Sequence, residues 1–403
     1  MNKKVLYVAT VAKKHICQFH LPYLKWFKEH GYETHVCAGN DFEADDVKSI
    51  PYCDKFHEIC FSRSLLSTDH IKAYKQLKKY IDENDFDIIH CHTPIAAAIT
   101  RLAASKARNN GAKVIYTSHG FHFFKGAPKS SLLYYFTEKF LVPFTDAIIT
   151  VNAEDYNAAK KFCKNKTCEP FYIHGMGVDT EKIKNTVVDK AELKRKLGLP
   201  EDAFVLLSVS EQNYNKNLTT TLRAFSQIED PNMYYVICGT GNMLETHKVL
   251  AQVYGVGDRV IFTGYRYDIY EIVHIADIFL FSSLREGLGF APIEAMSAGV
   301  PIIASNIRGV TEYAVDGENS ILLSPCDIDG FAEAIKTLSA DPERRHEMGR
   351  KAAEAVVPFD LKKSISSMEA IYGRYLSDIK NTEAEEISES DGSAELNIKA
   401  VAS

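Results

Sequence analysis

Short apolar, β-branched runs alternate with longer helix-periodic stretches along nearly the whole chain. In the first half the runs are KVLYVAT, ETHVCAG, DIIHCHT, KVIYTSH, DAIITVN and PFYIHG. In the second they are AFVLLSVS, MYYVICG, RVIFTG, DIFLFSS, PIIASN and SILLSP. Between them lie amphipathic stretches such as Pro22–His30, Asp69–Asn84 and Asn217–Ile228. Such alternation marks βαβ units and parallel sheets. Two sets of about six strands, in a chain of 403 residues, are too much for one ordinary core. The reading is α/β, with two doubly wound, Rossmann-like domains. The pattern breaks near His174–Asn185, which predicts domains over 1–180 and 181–378, the last helix (about 360–378) packing back on the first domain. Ligands of open α/β sheets bind beyond the carboxyl ends of the strands. Two such edges face each other across a cleft, so the residues that follow each strand matter most.

Composition narrows the function classes. The apolar fraction of 46% and charged fraction of 25% are those of a soluble globular protein. No run of about 18 apolar residues is present, and MNKKVLYVAT enters a strand directly, so neither a membrane span nor a signal peptide is predicted. Nine cysteines, scattered and odd in number, read as reduced thiols of a cytoplasmic protein. Cys91, between His90 and His92, reads as a strand end rather than a metal site, because adjacent strand residues point to opposite faces. The net charge of −6 hides an asymmetry: 24 basic against 19 acidic residues in 1–180, and 23 against 34 in the remainder. Part of the acidic excess is the Ser-rich stretch 381–403, predicted to be disordered. The mildly basic first half suits an anionic surface, but no dense basic patch with interleaved aromatics suits nucleic acid.

The most informative stretch runs from Ser282 to Ser305, SSLREGLGFAPIEAMSAGVPIIAS. It follows DIFLFSS, passes a loop with Gly287 and Gly289, and enters a helix predicted over Ala291–Ala298, where Pro292 suits the first turn. Glycines before a helix let the backbone approach a ligand, and the free N–H groups at the helix start attract phosphate. Glu286 in the loop and Glu294 in the helix can face one ligand from two sides, accepting hydroxyls of a sugar and a ribose. Alone, each glutamate could be a cap or a solvated face.

EGLGFAPIEAMSAGVPIIAS resembles the signature of family 4 of the retaining glycosyltransferases, two-domain enzymes of the GT-B architecture that need no metal. GTGNMLE (Gly239–Glu245), FTGYRYDIYEIVHIADIFLFSS (Phe262–Ser283) and ITVNAEDYNAAKKF with HGMGVD extend the likeness to nearly all of residues 1–375. Within the family the chain is most similar to bacterial enzymes that build exopolysaccharide, capsule or other surface glycans on a lipid carrier. The resemblance implies a nucleotide-sugar donor, with UDP favoured, and a lipid-linked glycan acceptor at the inner face of the plasma membrane. It implies that Glu286 binds the donor sugar, that the amides of Gly289, Phe290 and Ala291 hold the diphosphate, and that Glu294 holds the ribose. Lys216 would neutralise the leaving phosphate, His119 would sit across the cleft near sugar and acceptor, and Gly239, Gly241 and Arg266 would lie by the nucleotide. Neither Asp85-Phe86-Asp87 nor Asp327-Ile328-Asp329 lies with the phosphate loop, so both read as structural and no metal or other cofactor is expected.

Two departures stand out. Glu211 occupies a position where the family more often has an arginine, so either Glu211 turns away or another cation such as Arg266 compensates. The Gly-rich loop usual after the first strand is replaced by VAKKHICQFH, with no glycine. In Gly120–Phe144 aromatics interleave with Lys125, Lys129 and Lys139, which suits either a surface that dips into a bilayer or, the favoured reading, a helix packing its aromatics inward. His122 reads equally as a site residue or a core histidine. Rival functions on the same scaffold are a nucleotide-sugar epimerase and a non-catalytic nucleotide-sugar binding protein. A dehydrogenase lacks its G-x-G-x-x-G after the first strand.

Overall fold

The computed structural model describes residues 3–42, 49–62, 67–124 and 126–376. The acidic stretch 381–403 and Lys125 lie outside them. The first half forms β1 Lys4–Val11, β2 Glu33–Gly39, β3 Lys55–Glu58, β4 Ile88–His92, β5 Lys113–Ser118, β6 Ala147–Thr150 and β7 Glu169–Tyr172. The second forms β8 Phe204–Val209, β9 Met233–Cys238, β10 Val260–Gly264, β11 Ile278–Phe281, β12 Ile302–Ser305 and β13 Ser320–Leu323. Every pairing is parallel, in the orders β3-β2-β1-β4-β5-β6-β7 and β10-β9-β8-β11-β12-β13. The strands are apolar because helices cover both faces; β4 and β11 are buried at every residue. Each fully buried Val, Leu or Ile stabilises the sheet by roughly 1.5–3 kcal/mol.

The first sheet has one strand more than the sequence predicts. KFHE of β3 is a short, exposed edge strand without the apolar run that marks the others. The more consequential feature is where each order reverses: between β1 and β4 in the first sheet, and between β8 and β11 in the second. At such a switch point the loops leave in opposite directions and open a crevice at the strand ends.

The halves are joined tightly. One buried apolar cluster runs from Tyr7 and Phe27 through Met176 and Val178 to Phe279, Ile293 and Tyr372. The helix Leu361–Gly373, last in the described chain, packs on the first sheet, where the Tyr372 hydroxyl lies 2.7 Å from that of Tyr7 and 2.8 Å from His90 Nδ1. Among the described residues no helix is long and apolar enough to cross a membrane.

The aromatic segment corrects the favoured expectation of inward packing. The helix Leu132–Leu141 turns Tyr135 toward Phe123 and Phe162, and buries Glu138 against Arg101 at 2.8 Å. Leu132, Leu133, Phe136 and Phe140, at helical spacing, are each more than half exposed, beside exposed Lys129 and Lys139. Burial of the Arg101–Glu138 pair fixes which face turns in, and leaves the larger apolar face outside.

Candidate active site

The crevice between β8 and β11 is built by two loops stitched to each other. After β8, Asn213 accepts the Lys216 N–H, and Asn217 adopts a left-handed conformation (φ 52°) that asparagine tolerates better than most residues. The Asn217 side-chain amide donates to the carbonyls of Ser282 and Pro325, and the Ser282 hydroxyl donates back to Asn217 O. Leu284 N–H donates to Asn215 O, and the Asn215 amide donates to Arg285 O. These bonds bring together residues 70 apart in sequence: Lys216 Nζ lies 2.6 Å from Glu286 Oε1.

The second loop ends in the helix Phe290–Ser297. Its N-cap, Gly289, has φ 85°, a conformation glycine adopts without strain, and no side chain caps the helix. The Phe290 and Ala291 amides therefore lack intrahelical acceptors, and the helix dipole adds partial positive charge there. Lys216 belongs to the same hollow. Its ammonium lies 5.3 Å from the Phe281 ring centroid, and a Cβ on Gly289 would lie 3.3 Å from that same ring. Glu294, inside the helix, is largely ringed by protein, and desolvation raises its pKa to about 7. The helix begins one residue before the predicted start.

The other expected residues divide. The loop carrying Gly287 lies against the first half: a Cβ there would come within 1.7 Å of the His119 carbonyl oxygen. Asn152 Nδ2 donates to Gly287 O at 2.9 Å, and Arg308 bridges to Asp155 and the Phe121 carbonyl. The His119 backbone thus rests on the residue after Glu286, while its imidazole, pushed down to about 4 by burial and hence neutral at pH 7, packs among His15, His20 and His92. His122, likewise pushed down to about 4 by burial, stacks on Tyr134 at 4.8 Å. Gly239 and Gly241 are required by packing, since added Cβ atoms would meet Ser210 O at 2.0 Å and Gln212 O at 2.3 Å. Arg266 is held in a two-pronged pair by Asp268 (2.8 and 2.5 Å), so it is no free substitute for a missing arginine. Glu211 is exposed and accepts from Asn213 Nδ2, the same side chain that accepts the Lys216 N–H. Asp327 caps the helix Ile328–Ala340, Asp329 accepts from Gln227, and Asp87 accepts the Lys4 N–H.

Sequence reasoning missed a second group. His15 and His20 follow β1, His92 ends β4 and His119 follows β5; one ring nitrogen from each lies within 4.8 Å of the others. His15 belongs to a π-helical turn, Ala12–Cys17, whose first amides donate to the Asp41 carboxylate. Burial keeps all four imidazoles in the neutral form. His90 and His92, two apart on one strand, share a face. His90 is satisfied by Tyr372 and Thr117, whereas both ring nitrogens of fully buried His92 lack a partner.

Comparison with known proteins agrees with this geometry. Residues 4–152 match the family described as Glycosyl transferase 4-like, and residues 189–355 match Glycosyl transferases group 1. EpsD of Bacillus subtilis (strain 168) is 40% identical over 382 residues, covering 93% of this chain and 98% of its own. The Escherichia coli UDP-Gal:alpha-D-GlcNAc-diphosphoundecaprenol alpha-1,3-galactosyltransferase is 30% identical over 78% of this chain and 81% of its own. In fold, the chain is similar to Anabaena HepE in complex with UDP and glucose (TM-score 0.72, 20% identity, 93% of this chain and 100% of that one). It is also similar to sucrose-phosphate synthase of Thermosynechococcus elongatus (TM-score 0.73, 19% identity, 93% and 99%). With two doubly wound sheets, a glycine-gated helix start beside a lysine, and relatives matched along almost their full length, this chain belongs to family 4 of the GT-B glycosyltransferases.

Proposed function

We propose that the protein moves a sugar from a UDP-sugar to a growing, lipid-linked surface glycan, with retention of anomeric configuration and no metal in the donor crevice. The observation that carries this reading is that Lys216 and an uncapped helix start share the β8/β11 crevice and meet on one ring, Phe281. A fixed ammonium beside free amides suits a diphosphate. Bond cleavage leaves the electron pair on the departing phosphate, and one preorganised donor is worth about 3–4 kcal/mol to such a transition state.

Donor entry exchanges partners. Lys216 leaves Glu286 for the phosphate, Glu286 turns its freed oxygen to sugar hydroxyls, and the Gly289, Phe290 and Ala291 amides receive the diphosphate. Glu294 accepts the ribose hydroxyls. The acceptor hydroxyl attacks from the side the phosphate leaves, forming the new C–O bond and passing its proton to a departing phosphate oxygen. Neutral His119 lines the sugar side of this path. UDP and a lipid-diphosphate acceptor are supported by the named substrates of the E. coli relative and by the UDP bound to HepE. Peripheral contact with anionic membrane is supported by the apolar face Leu132, Leu133, Phe136 and Phe140 with its flanking lysines.

Incubating the purified chain with a panel of nucleotide-sugars tests this. Slow release of UDP and free sugar is expected from one UDP-sugar, and extracted membranes should turn hydrolysis into an α-linked product by NMR. An epimer formed without acceptor, or an inverted linkage, overturns the reading. Failure to sediment with anionic liposomes at low salt removes the membrane contact.

A further inference from the structure

The four histidines lie at the switch point of the first sheet, where loops leave β1 and β4 in opposite directions and β5 ends alongside. Hydrophobic burial alone does not explain them. His20 and His92 are fully buried, and His20 Nδ1, both nitrogens of His92 and His119 Nε2 lack hydrogen-bond partners. Unsatisfied buried polar atoms are costly, so their gathering on three rings packed against one another needs an explanation. The rings also crowd one another. His20 Nε2 and His15 Nε2 face each other at 3.3 Å, and the His20 and His92 ring centroids are 3.8 Å apart.

We propose that His15, His20, His92 and His119 form a binding site for a divalent transition-metal ion of the imidazole-preferring kind, typified by Zn2+. Nitrogens about 2.0–2.1 Å from a tetrahedral ion are about 3.3–3.4 Å from one another. The His15–His20 separation already has that value and the spread is at most 4.8 Å, while the closely packed His20 and His92 rings must part to admit the ion. Neutral imidazole is the ligating form, and soft-to-borderline ions such as Zn2+ suit it. The cluster adjoins the donor crevice, where Lys216 supplies the positive charge: Gly287 rests on the His119 carbonyl, and the Phe19 ring touches both His119 and Phe290. Four protein ligands leave no open position, which is the pattern of a structural ion. Such an ion would tie the π-helical turn to β4 and β5, fixing the His119 backbone against which Gly287 rests.

The test uses the full chain, purified without a polyhistidine tag, dialysed against chelator and then equilibrated with equimolar Zn2+. After desalting, about one zinc per chain is expected by elemental analysis, with a higher melting temperature than the chelated protein. His15→Ala, on a partly exposed turn, should fold and lose at least tenfold in zinc affinity. His92→Gln, at the buried centre, should lose it too. Co2+ in place of Zn2+ should give the intense visible absorption of four-coordinate cobalt. A wild-type chain that retains no zinc, a His15→Ala chain that retains as much as wild type, or the weak spectrum of six-coordinate cobalt would each overturn the proposal.

Discussion

The two sheets reverse their strand order in the same way, yet the crevices at the two reversals are furnished with opposite chemistry. At β8/β11 the loops carry a lysine, two carboxylates and a glycine-opened helix start, all partly open to solvent. At β1/β4 they carry neutral imidazoles packed against one another, two of them sealed from solvent. The scaffold supplies a hollow in both places, and the side chains at the strand ends decide what it holds. The charged crevice suits a diphosphate that gains charge as it leaves. The uncharged one suits an ion that brings its own charge.

The largest effect that would break this contrast comes from Lys216→Ala. Turnover should fall about 10²- to 10³-fold, the worth of one preorganised donor at a departing oxyanion. The melting temperature and the zinc content should hardly move, because the Lys216–Glu286 pair is partly exposed and its stability worth is small. Steady-state kinetics beside a melting curve checks both; retained turnover would remove Lys216 from the chemistry.

A smaller effect sharpens how the two crevices are joined. Gly287→Ala places a methyl within 1.7 Å of the His119 carbonyl, so the halves must separate slightly. Overpacking of about 1–3 kcal/mol predicts a loss in kcat/KM on the order of tenfold to a hundredfold and a lower melting temperature. Unchanged values in both would show that these loops do not meet.

The smallest effect is in pH. Desolvation pushes the Glu294 carboxyl up from its ordinary 4.5 to about 7. The folded chain therefore holds a proton that the unfolded chain has lost, and this group's contribution to stability declines as pH rises from about 4.5 to about 7. Ribose hydroxyls favour the ionised form, so UDP affinity should rise about tenfold between pH 6 and pH 8. Calorimetric titration of Glu294→Gln should show a flat profile; an unaltered slope would place the titrating group elsewhere.

How much of this was legible beforehand follows from the range of each signal. Twelve strands announced themselves as local apolar runs, whereas β3, with KFHE on an exposed edge, carries no such run. The helix start at Phe290 was legible because glycine and proline punctuate it locally. The Lys216–Glu286 pair was not, since it depends on β8 lying beside β11. The imidazole cluster escaped for the same reason, with members drawn from the ends of β4 and β5, the residue before the helix Leu21–Glu29, and a π-helical turn that no propensity foretells. Of the two histidines that flank Cys91 and share a strand face, only His92 joins the cluster, since His90 is taken up by Tyr372 and Thr117. The outward face of Leu132–Leu141 was hidden because periodicity shows a stripe but not which side the Arg101–Glu138 pair will turn inward.

The central claim is that the β8/β11 crevice holds the diphosphate, and a structure of the chain with UDP bound tests it most directly. The account expects β-phosphate oxygens within about 3 Å of the Phe290 and Ala291 amides and of Lys216 Nζ, with the lysine drawn off Glu286. A diphosphate seated elsewhere, with Lys216 still paired to Glu286, would contradict it.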